Sequence, residues 1–272
     1  MNTKLHRILL GLTLLCLSGA AAASDKAADT ATAETNPIDP QAAEIVLRSA
    51  YFLADLPVFS FSWFLSSDEV VDDREKITFV ESGSTTVKRG TGFYSSRERG
   101  NTYRDYYFNG KEFSVVSPNE NFYASAPFTG TYDDLMQRVQ AGTGTTLPIW
   151  TILSADLPAK LVAGVEAAAY LGTTHIAGQE VHHIAFTSPD EDWQIWISTD
   201  DDAPFPLMLI GTRTDLKGWP QQRVTLMDWN LAPNADAERF KFTPDKGSIR
   251  VTFPMPANAD TGNAAASKEG GR

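Results

Sequence analysis

Hydrophobic and polar residues alternate with the two-residue period of β-strands along most of the chain. In the first such run, Phe59, Phe61 and Trp63 alternate with Ser60 and Ser62, so one face of the strand is apolar and the other polar. Similar runs occur in two blocks and predict about ten or eleven strands. The further runs lie at residues 76–80, 85–88, 93–96, 102–108, 112–116 and 121–126, and in the second block at 167–173, 180–187, 193–199, 207–212 and 222–231.

Helical patterns stand before the first strand block and between the two blocks. Asp39 followed by Pro40 predicts the start of a helix that runs through the next four turns. Thr131 with Asp134 three residues later resembles a capping box and predicts a second helix start. The segment between the blocks continues with an apolar stretch at 147–153, which contains Trp150, and a short helix at 157–163.

Turn residues separate the predicted strands. Asn109–Gly110 indicates a two-residue hairpin of type I′, and Gly178 and residues 200–204 also fit hairpin turns. The strands are therefore expected to form an antiparallel meander. Because strand twist accumulates across a large sheet, such a meander curls, and the helical segments can cover its apolar face.

Composition and net charge exclude some classes of protein. The chain has 272 residues, of which 42% are hydrophobic, and a net charge of −11. The hydrophobic content excludes a wholly disordered chain. The acidic balance argues against a nucleic-acid-binding protein, which would need Lys and Arg to neutralise phosphates.

Residues 1–23 have the pattern of a cleavable signal peptide. Lys4 and Arg7 precede an apolar run at 8–17, and Ala21 and Ala23 fit the cleavage site. A transmembrane anchor is the alternative, but the run is shorter than the ~20 residues that span a bilayer. We therefore expect an exported, periplasmic protein that does not span the membrane after cleavage.

The single cysteine, Cys16, lies within this predicted signal peptide and is preceded by Leu15. Lipid attachment needs a small residue at that position, so lipidation is not expected. The mature chain would have no cysteine and no disulfide. After the signal peptide, residues 24–37 are expected to form a flexible leader, 38–253 a single domain and 254–272 a disordered tail.

Motifs for catalysis and metal binding are missing from the sequence. It contains no G-x-S-x-G elbow, no H-E-x-x-H and no phosphate-binding glycine motif. His182 and His183 are neighbours on a predicted strand and point to opposite faces, so they cannot bind one ion together. The acidic runs at 190–192 and 200–202 fit solvated turns. The sequence predicts a protein that is not an enzyme and uses neither a metal nor a cofactor.

Two interpretations of the apolar strand faces remain open. They can be ordinary core, or they can line a pocket for a lipid or another hydrophobic ligand. The candidate lining residues, all in apolar contact roles, are Phe59, Phe61, Trp63, Trp150, Trp193 and Ile195.

Several short stretches resemble a family of predicted periplasmic proteins of unknown function, domain of unknown function 2092. The resemblance covers about residues 39–247. It is carried by the sequences DWQIWI at 192–197, PFPL at 204–207, FTPDKG at 242–247, YFNGK at 107–111 and HHIAF at 182–186.

That family is similar in fold to the lipoprotein-localisation carriers, the LolA/LolB-like group. The resemblance implies a mainly β fold with helices (α+β): an antiparallel, unclosed β-barrel or strongly curved sheet whose concave face is covered by helices. It implies no catalytic residue. The expected function is to bind or carry a lipid, lipoprotein or other hydrophobic ligand. The alternatives are a sensor or scaffold that docks a protein partner and, as a third hypothesis, a hydrolase. No oligomeric state is predicted.

Overall fold

A computed structural model describes residues 37–72, 75–143 and 148–252. The predicted signal peptide, residues 24–36 of the predicted leader and the predicted tail lie outside the described residues. These three predictions therefore remain predictions.

The described strands form one twelve-stranded sheet, with the order β12-β6-β5-β4-β3-β2-β1-β11-β10-β9-β8-β7. Neighbouring strands are antiparallel, apart from β12, which runs parallel to β6. The sheet is curved and does not close into a barrel, which confirms the predicted fold class. The strands are β1 Val58–Val71, β2 Glu75–Lys88, β3 Gly92–Arg99, β4 Thr102–Phe108, β5 Glu112–Ser117, β6 Phe122–Pro127, β7 Ala167–Ile176, β8 Gln179–Thr187, β9 Glu191–Ser198, β10 Pro206–Arg213, β11 Gln221–Asn230 and β12 Ile249–Arg250.

The described helical segments cover one face of this sheet, apart from the 3-10 helix Ala237–Phe240, which contacts β3 at Tyr94, on the face opposite to the buried Phe93. At the start of α1, the Asp39 carboxylate accepts a hydrogen bond of 2.9 Å from the backbone N–H of Gln41, as the capping pattern predicts. The helical segments are α1 Pro40–Asp55, α2 Tyr132–Thr143, α3 Leu157–Val162 and the 3-10 helices Pro148–Leu153 and Ala237–Phe240.

Two features of the strands differ from the prediction. The runs at 76–80 and 85–88 belong to one long strand, β2, because β2 pairs with β1 without a break from Lys88 to Glu75. The hairpin at Asn109 forms, but its turn is not type I′. The loop between β4 and β5 has three residues, 109–111, of which only Gly110 has a positive φ, and the Asn109 side chain accepts from the backbone N–H groups of Lys111 and Glu112.

The largest core cluster lies on the covered face of β1 to β5. Alternation along β1 places Phe59, Phe61 and Trp63 on this face, and the helical insert adds Leu135 and Trp150. All five side chains are at most 3% exposed. A second cluster, centred on Ile184 and Ile197, joins α1 to β7, β8 and β9.

Arg89, directly after β2, connects α1 and the first 3-10 helix to the sheet. Its guanidinium donates hydrogen bonds to the carbonyl oxygens of Leu53 at 2.8 Å, Leu56 at 3.1 Å and Leu153 at 3.0 Å. It also lies over the Phe59 ring, 5.5 Å from its centroid. The carbonyls at a helix end lack partners within the helix, so one side chain satisfies the ends of α1 and of the first 3-10 helix.

Asp68 links three strands near the end of the β1–β2 hairpin. Its carboxylate accepts from the Thr78 hydroxyl at 2.8 Å and from the Gln221 backbone N–H at 3.2 Å. Burial alone would raise the pKa of Asp68, but these hydrogen bonds and the charge of Arg223 outweigh burial and hold the pKa below its ordinary value.

This lowered pKa predicts an acid-dependent contribution to stability. A carboxyl group whose pKa is depressed by folding stabilises the protein above its ordinary pKa of 3.8, and that stabilisation is lost as pH falls through the lower folded-state value. Asp68→Asn should lower the free energy of unfolding by about 1–3 kcal/mol at pH 7. Urea unfolding at pH 7 and pH 3 should show the difference from wild type shrinking in acid. Asp72→Asn, at an exposed position in the same hairpin, should leave stability nearly unchanged; a pH-independent effect of Asp68→Asn would contradict the prediction.

Candidate ligand-binding cavity

A cavity of about 400 Å³ lies between the helical segments and strands β9, β10 and β11. It is bounded on one side by side chains of the sheet and on the other by α1, the 3-10 helix Pro148–Leu153 and α3. The second strand block, the insert and the first helix therefore all contribute to its walls.

Strand register builds the sheet wall. Leu209 of β10 lies directly opposite Val224 of β11 and Ile195 of β9, so these three side chains form one row across the sheet. In the next row, Trp193 of β9 lies opposite Gly211. The alternation of the strands thus puts a continuous apolar row, Ile195, Leu209 and Val224, against the cavity.

The helical wall is also mainly aliphatic. Its apolar residues are Leu53 from α1, Ile152 from the 3-10 helix, and Leu157 and Leu161 from α3, and the same elements add the polar side chains of Ser49, Thr151 and Lys160. Leu157 is 2% exposed and packs with Leu53 in a small cluster that joins α1 to α3. The cavity is therefore lined by apolar side chains on both sides.

Burial changes along the cavity from one end to the other. Leu226 and Ile195 are buried, Trp193 is half-buried, and Gln222 and Glu191 are exposed. Since these residues follow one another in rows along β9 and β11, the cavity has an apolar inner end and a polar mouth.

Trp193 is fixed in its position by a neighbouring ring. Its indole is stacked on Phe186 of β8, with a centroid separation of 3.8 Å and an interplanar angle of 8°. Register places these two residues directly opposite each other on adjacent strands. The indole therefore forms a flat and ordered part of the cavity wall.

The six candidate lining residues divide into two groups. Trp193 and Ile195 line the cavity. The other four lie on the same face of the sheet or on the insert, but the structure places them in the aromatic cluster of the core and not among the lining residues of this cavity: Phe59, Phe61, Trp63 and Trp150.

Comparison with known families matches residues 42–254 to the family described as predicted periplasmic protein, DUF2092. The match covers well over half of the chain. The chain belongs to this family. Among curated proteins, no sequence matches this DUF2092 protein.

Solved structures provide distant likenesses to the DUF2092 chain. An uncharacterised conserved protein from Thermus thermophilus is 11% identical, with 78% of this chain and 99% of that chain covered and a TM-score of 0.43. The lipoprotein LppX of Mycobacterium tuberculosis is 17% identical, with 73% and 100% covered and a TM-score of 0.45. A LolA superfamily protein from Nitrosomonas europaea is 12% identical, with 74% and 97% covered and a TM-score of 0.35.

Neither membrane-spanning helices nor metal-binding clusters occur among the described residues of the DUF2092 protein. None of the helices in that part of the chain has the length and apolar character needed to cross a bilayer. Within the same residues, no three His, Cys, Asp or Glu side chains are grouped so that they could hold a metal ion.

The neighbouring histidines occupy opposite faces of β8, as their sequence positions predict. The Nδ1 atom of His182 lies 3.0 Å from the Tyr170 hydroxyl, and burial lowers the pKa of His182. His183 is stacked on Trp196 at 4.3 Å and its Nε2 atom lies 2.9 Å from the Gln194 side-chain oxygen. Both imidazoles are thus engaged in hydrogen bonds within the sheet.

Sequence reasoning missed the polar mouth and the helical wall of the cavity. Glu191 lies in an acidic run that fits a solvated turn. In the structure, however, it is the first residue of β9 and lines the cavity. Ile152 and Leu161 belong to segments whose apolar character is visible in the sequence, but no pattern indicated which strands they would face.

Proposed function

We propose that this protein is a non-enzymatic periplasmic binding protein, which is exported through a cleavable signal peptide at 1–23 and holds a lipid, a lipoprotein acyl chain or another apolar ligand. The single observation that carries the proposal is the cavity between the helical wall and strands β9 to β11. Trp193 and Ile195 are its proposed contact residues.

The dimensions and chemistry of the cavity support this proposal. Its volume of about 400 Å³ falls within the range of roughly 300–1,000 Å³ that small-molecule sites occupy. The aliphatic side chains of the helical wall can make dispersion contacts with a ligand, and so can Trp193, Ile195 and Leu209 on the sheet wall. Unlike hydrogen bonds, these contacts do not depend on the direction from which the ligand approaches. Such a surface favours a flexible hydrocarbon over a polar metabolite.

The free energy of removing a hydrocarbon chain from water also supports the proposal. Each methylene group removed from water contributes ~0.8 kcal/mol, so enclosing eight of them contributes roughly 6 kcal/mol. A hydrocarbon chain that crosses an aqueous compartment therefore needs an enclosure. A cavity that opens at one end can provide it and can also release the ligand.

A probe of low polarity tests the proposal. N-phenyl-1-naphthylamine, an uncharged dye whose fluorescence rises in apolar surroundings, should bind the purified protein. Leu209→Trp, which fills the middle of the cavity, should weaken the binding on the order of tenfold or more, equivalent to about 1.4 kcal/mol. Fluorescence titration measures both affinities.

Met227→Trp is the matched control, because Met227 lies exposed on β11 and outside the cavity lining. This variant should bind the dye like wild type, and circular dichroism should show that both variants are folded. Unchanged dye affinity in a folded Leu209→Trp variant would place binding elsewhere and refute the proposal.

A further inference from the structure

The mouth of the cavity contains the carboxylate of Glu191, whose side chain lies across strand β10. A Cβ atom built on Gly211 would approach Oε1 of Glu191 to 2.2 Å. The carboxylate therefore occupies the space that any side chain at Gly211 would take. Both residues line the cavity.

Cross-strand geometry explains this position. Arg213 lies directly opposite Glu191 in the ladder, but its guanidinium makes a two-pronged ion pair with Asp215 at 2.8 and 2.6 Å. The Glu191 side chain extends instead to its diagonal neighbour, Gly211. Because Gly211 is paired with Trp193, the carboxylate lies beside the indole that begins the apolar part of the cavity.

Arg213 is the nearest cation, but it does not neutralise the mouth, because Asp215, Glu191 and Asp190 all share its charge. Lys160 also lines the cavity, but its ammonium group is in contact with the Asp133 carboxylate. Ser188 and Gln222 add uncharged hydrogen-bonding groups. The mouth therefore combines a negatively charged acceptor with neutral donors and acceptors, next to an apolar interior.

We infer that the cavity selects amphiphiles whose head group donates hydrogen bonds and carries no negative charge, and that Glu191 is the residue that sets this preference. The inference rests on the proposed function, since it names the class of ligand for the same cavity. The hydrocarbon chain lies towards Leu226, and a hydroxyl, amide or ammonium head group lies at Glu191.

The chemistry of the carboxylate gives the direction of the preference. An ionised carboxylate accepts hydrogen bonds and cannot donate them, so a hydroxyl or ammonium group is its natural partner. A fatty-acid carboxylate or a phosphate at the same place would meet a like charge. Repulsion between like charges a few ångströms apart near a protein surface should disfavour such a head group on the order of tenfold or more.

Competition with the bound dye tests this inference with ligands of one chain length. Dodecylamine, 1-monolauroylglycerol and dodecanoate are each used to displace N-phenyl-1-naphthylamine at pH 7.5 and below their micellar concentrations. The amine and the monoglyceride should displace the dye at concentrations at least about tenfold lower than dodecanoate. In Glu191→Gln this difference should shrink to about twofold or less.

Asp192→Asn provides a matched control. It removes the same charge from the adjacent, exposed residue of β9, whose side chain points to the opposite face of the sheet. This variant should retain the full discrimination, whereas a loss in both variants would indicate a general effect of net charge and overturn the role of Glu191. Gly211→Ala, which keeps the charge but displaces the carboxylate, should reduce the discrimination as Glu191→Gln does.

The outcomes separate the inference from the proposed function. If dodecanoate competes as well as the amine, or if Glu191→Gln leaves the preference unchanged, the inference is overturned while ligand binding in the cavity stands. If the dye does not bind, or binds equally to the folded Leu209→Trp variant, the proposed function itself fails.

Discussion

Replacement of Arg89 by methionine should lower the free energy of unfolding by about 3 kcal/mol. The guanidinium donates to the backbone carbonyls of Leu53, Leu56 and Leu153, and methionine cannot donate to these acceptors. Hydrogen bonds that involve a charged group contribute about 1.5–3 kcal/mol each and do not add fully. Urea unfolding followed by circular dichroism measures the loss.

The same substitution should also weaken ligand binding, because Arg89 holds two segments of the helical wall. Leu53 and Ile152 line the cavity, and the guanidinium binds the backbone carbonyls of both residues. Arg89→Lys should recover only part of the stability, since an ammonium group lacks the planar fork that reaches several carbonyls at once.

Arg239→Met is the control for the loss of a cation. Arg239 is exposed and lies 4.8 Å from the Tyr94 ring centroid, an interaction worth about 0.5–1 kcal/mol. A loss below about 1 kcal/mol for Arg89→Met, similar to that of this control, would show that the helices are held by apolar packing alone.

The alternation of side chains along the strands was enough to predict the sheet. Phe59, Phe61 and Trp63 lie on the covered face of β1 because a strand with one apolar face can bury it in only one way. The capped start of α1 was also predictable, since Asp39 and Pro40 are local signals. These features depend on neighbours in sequence, which a single chain displays.

The division of one apolar face into core and cavity was not predictable. Trp63 and Ile195 have the same alternating pattern, yet Trp63 lies in the aromatic cluster and Ile195 lines the cavity. The difference depends on how closely the helical insert approaches each strand, and that distance is set by contacts between residues far apart in the chain.

Contacts between residues far apart in the sequence also explain the residues that depart from the local patterns. Phe52 follows the polar residues Glu44 and Arg48 of α1 at four-residue spacing, yet its ring packs edge-on against Phe205, 5.2 Å away between centroids. Glu191 and Arg89 are ordinary charged residues next to turns, and their roles follow from Gly211 and from the ends of the helices. No local pattern could indicate either role.

Two tryptophans that look equivalent in sequence should respond differently to removal. Trp150 is 2% exposed and meets Phe93, Tyr106 and Phe113 with centroid separations of 5.2, 5.3 and 6.2 Å. Trp150→Ala should lower the free energy of unfolding by about 3–5 kcal/mol, the usual cost of emptying such a site. Guanidinium unfolding measures this loss.

Trp193→Ala should have the opposite balance of effects. The indole is half-buried beside an open cavity, so its removal creates less new void and should cost about 1–2 kcal/mol. Dye affinity should fall on the order of tenfold, because the flat wall stacked on Phe186 is lost. Trp150→Ala is therefore expected to reduce mainly stability, and Trp193→Ala mainly dye affinity.

The ligand affinity of the Trp150→Ala protein, measured without denaturant under conditions where it remains folded, then decides the place of Trp150. A core residue that does not touch the ligand should leave the dye affinity within about threefold of wild type. If the affinity rises because the ligand enters the emptied space, the cavity extends into the aromatic cluster. In that case, Phe93 and Phe113 would form a second part of its wall.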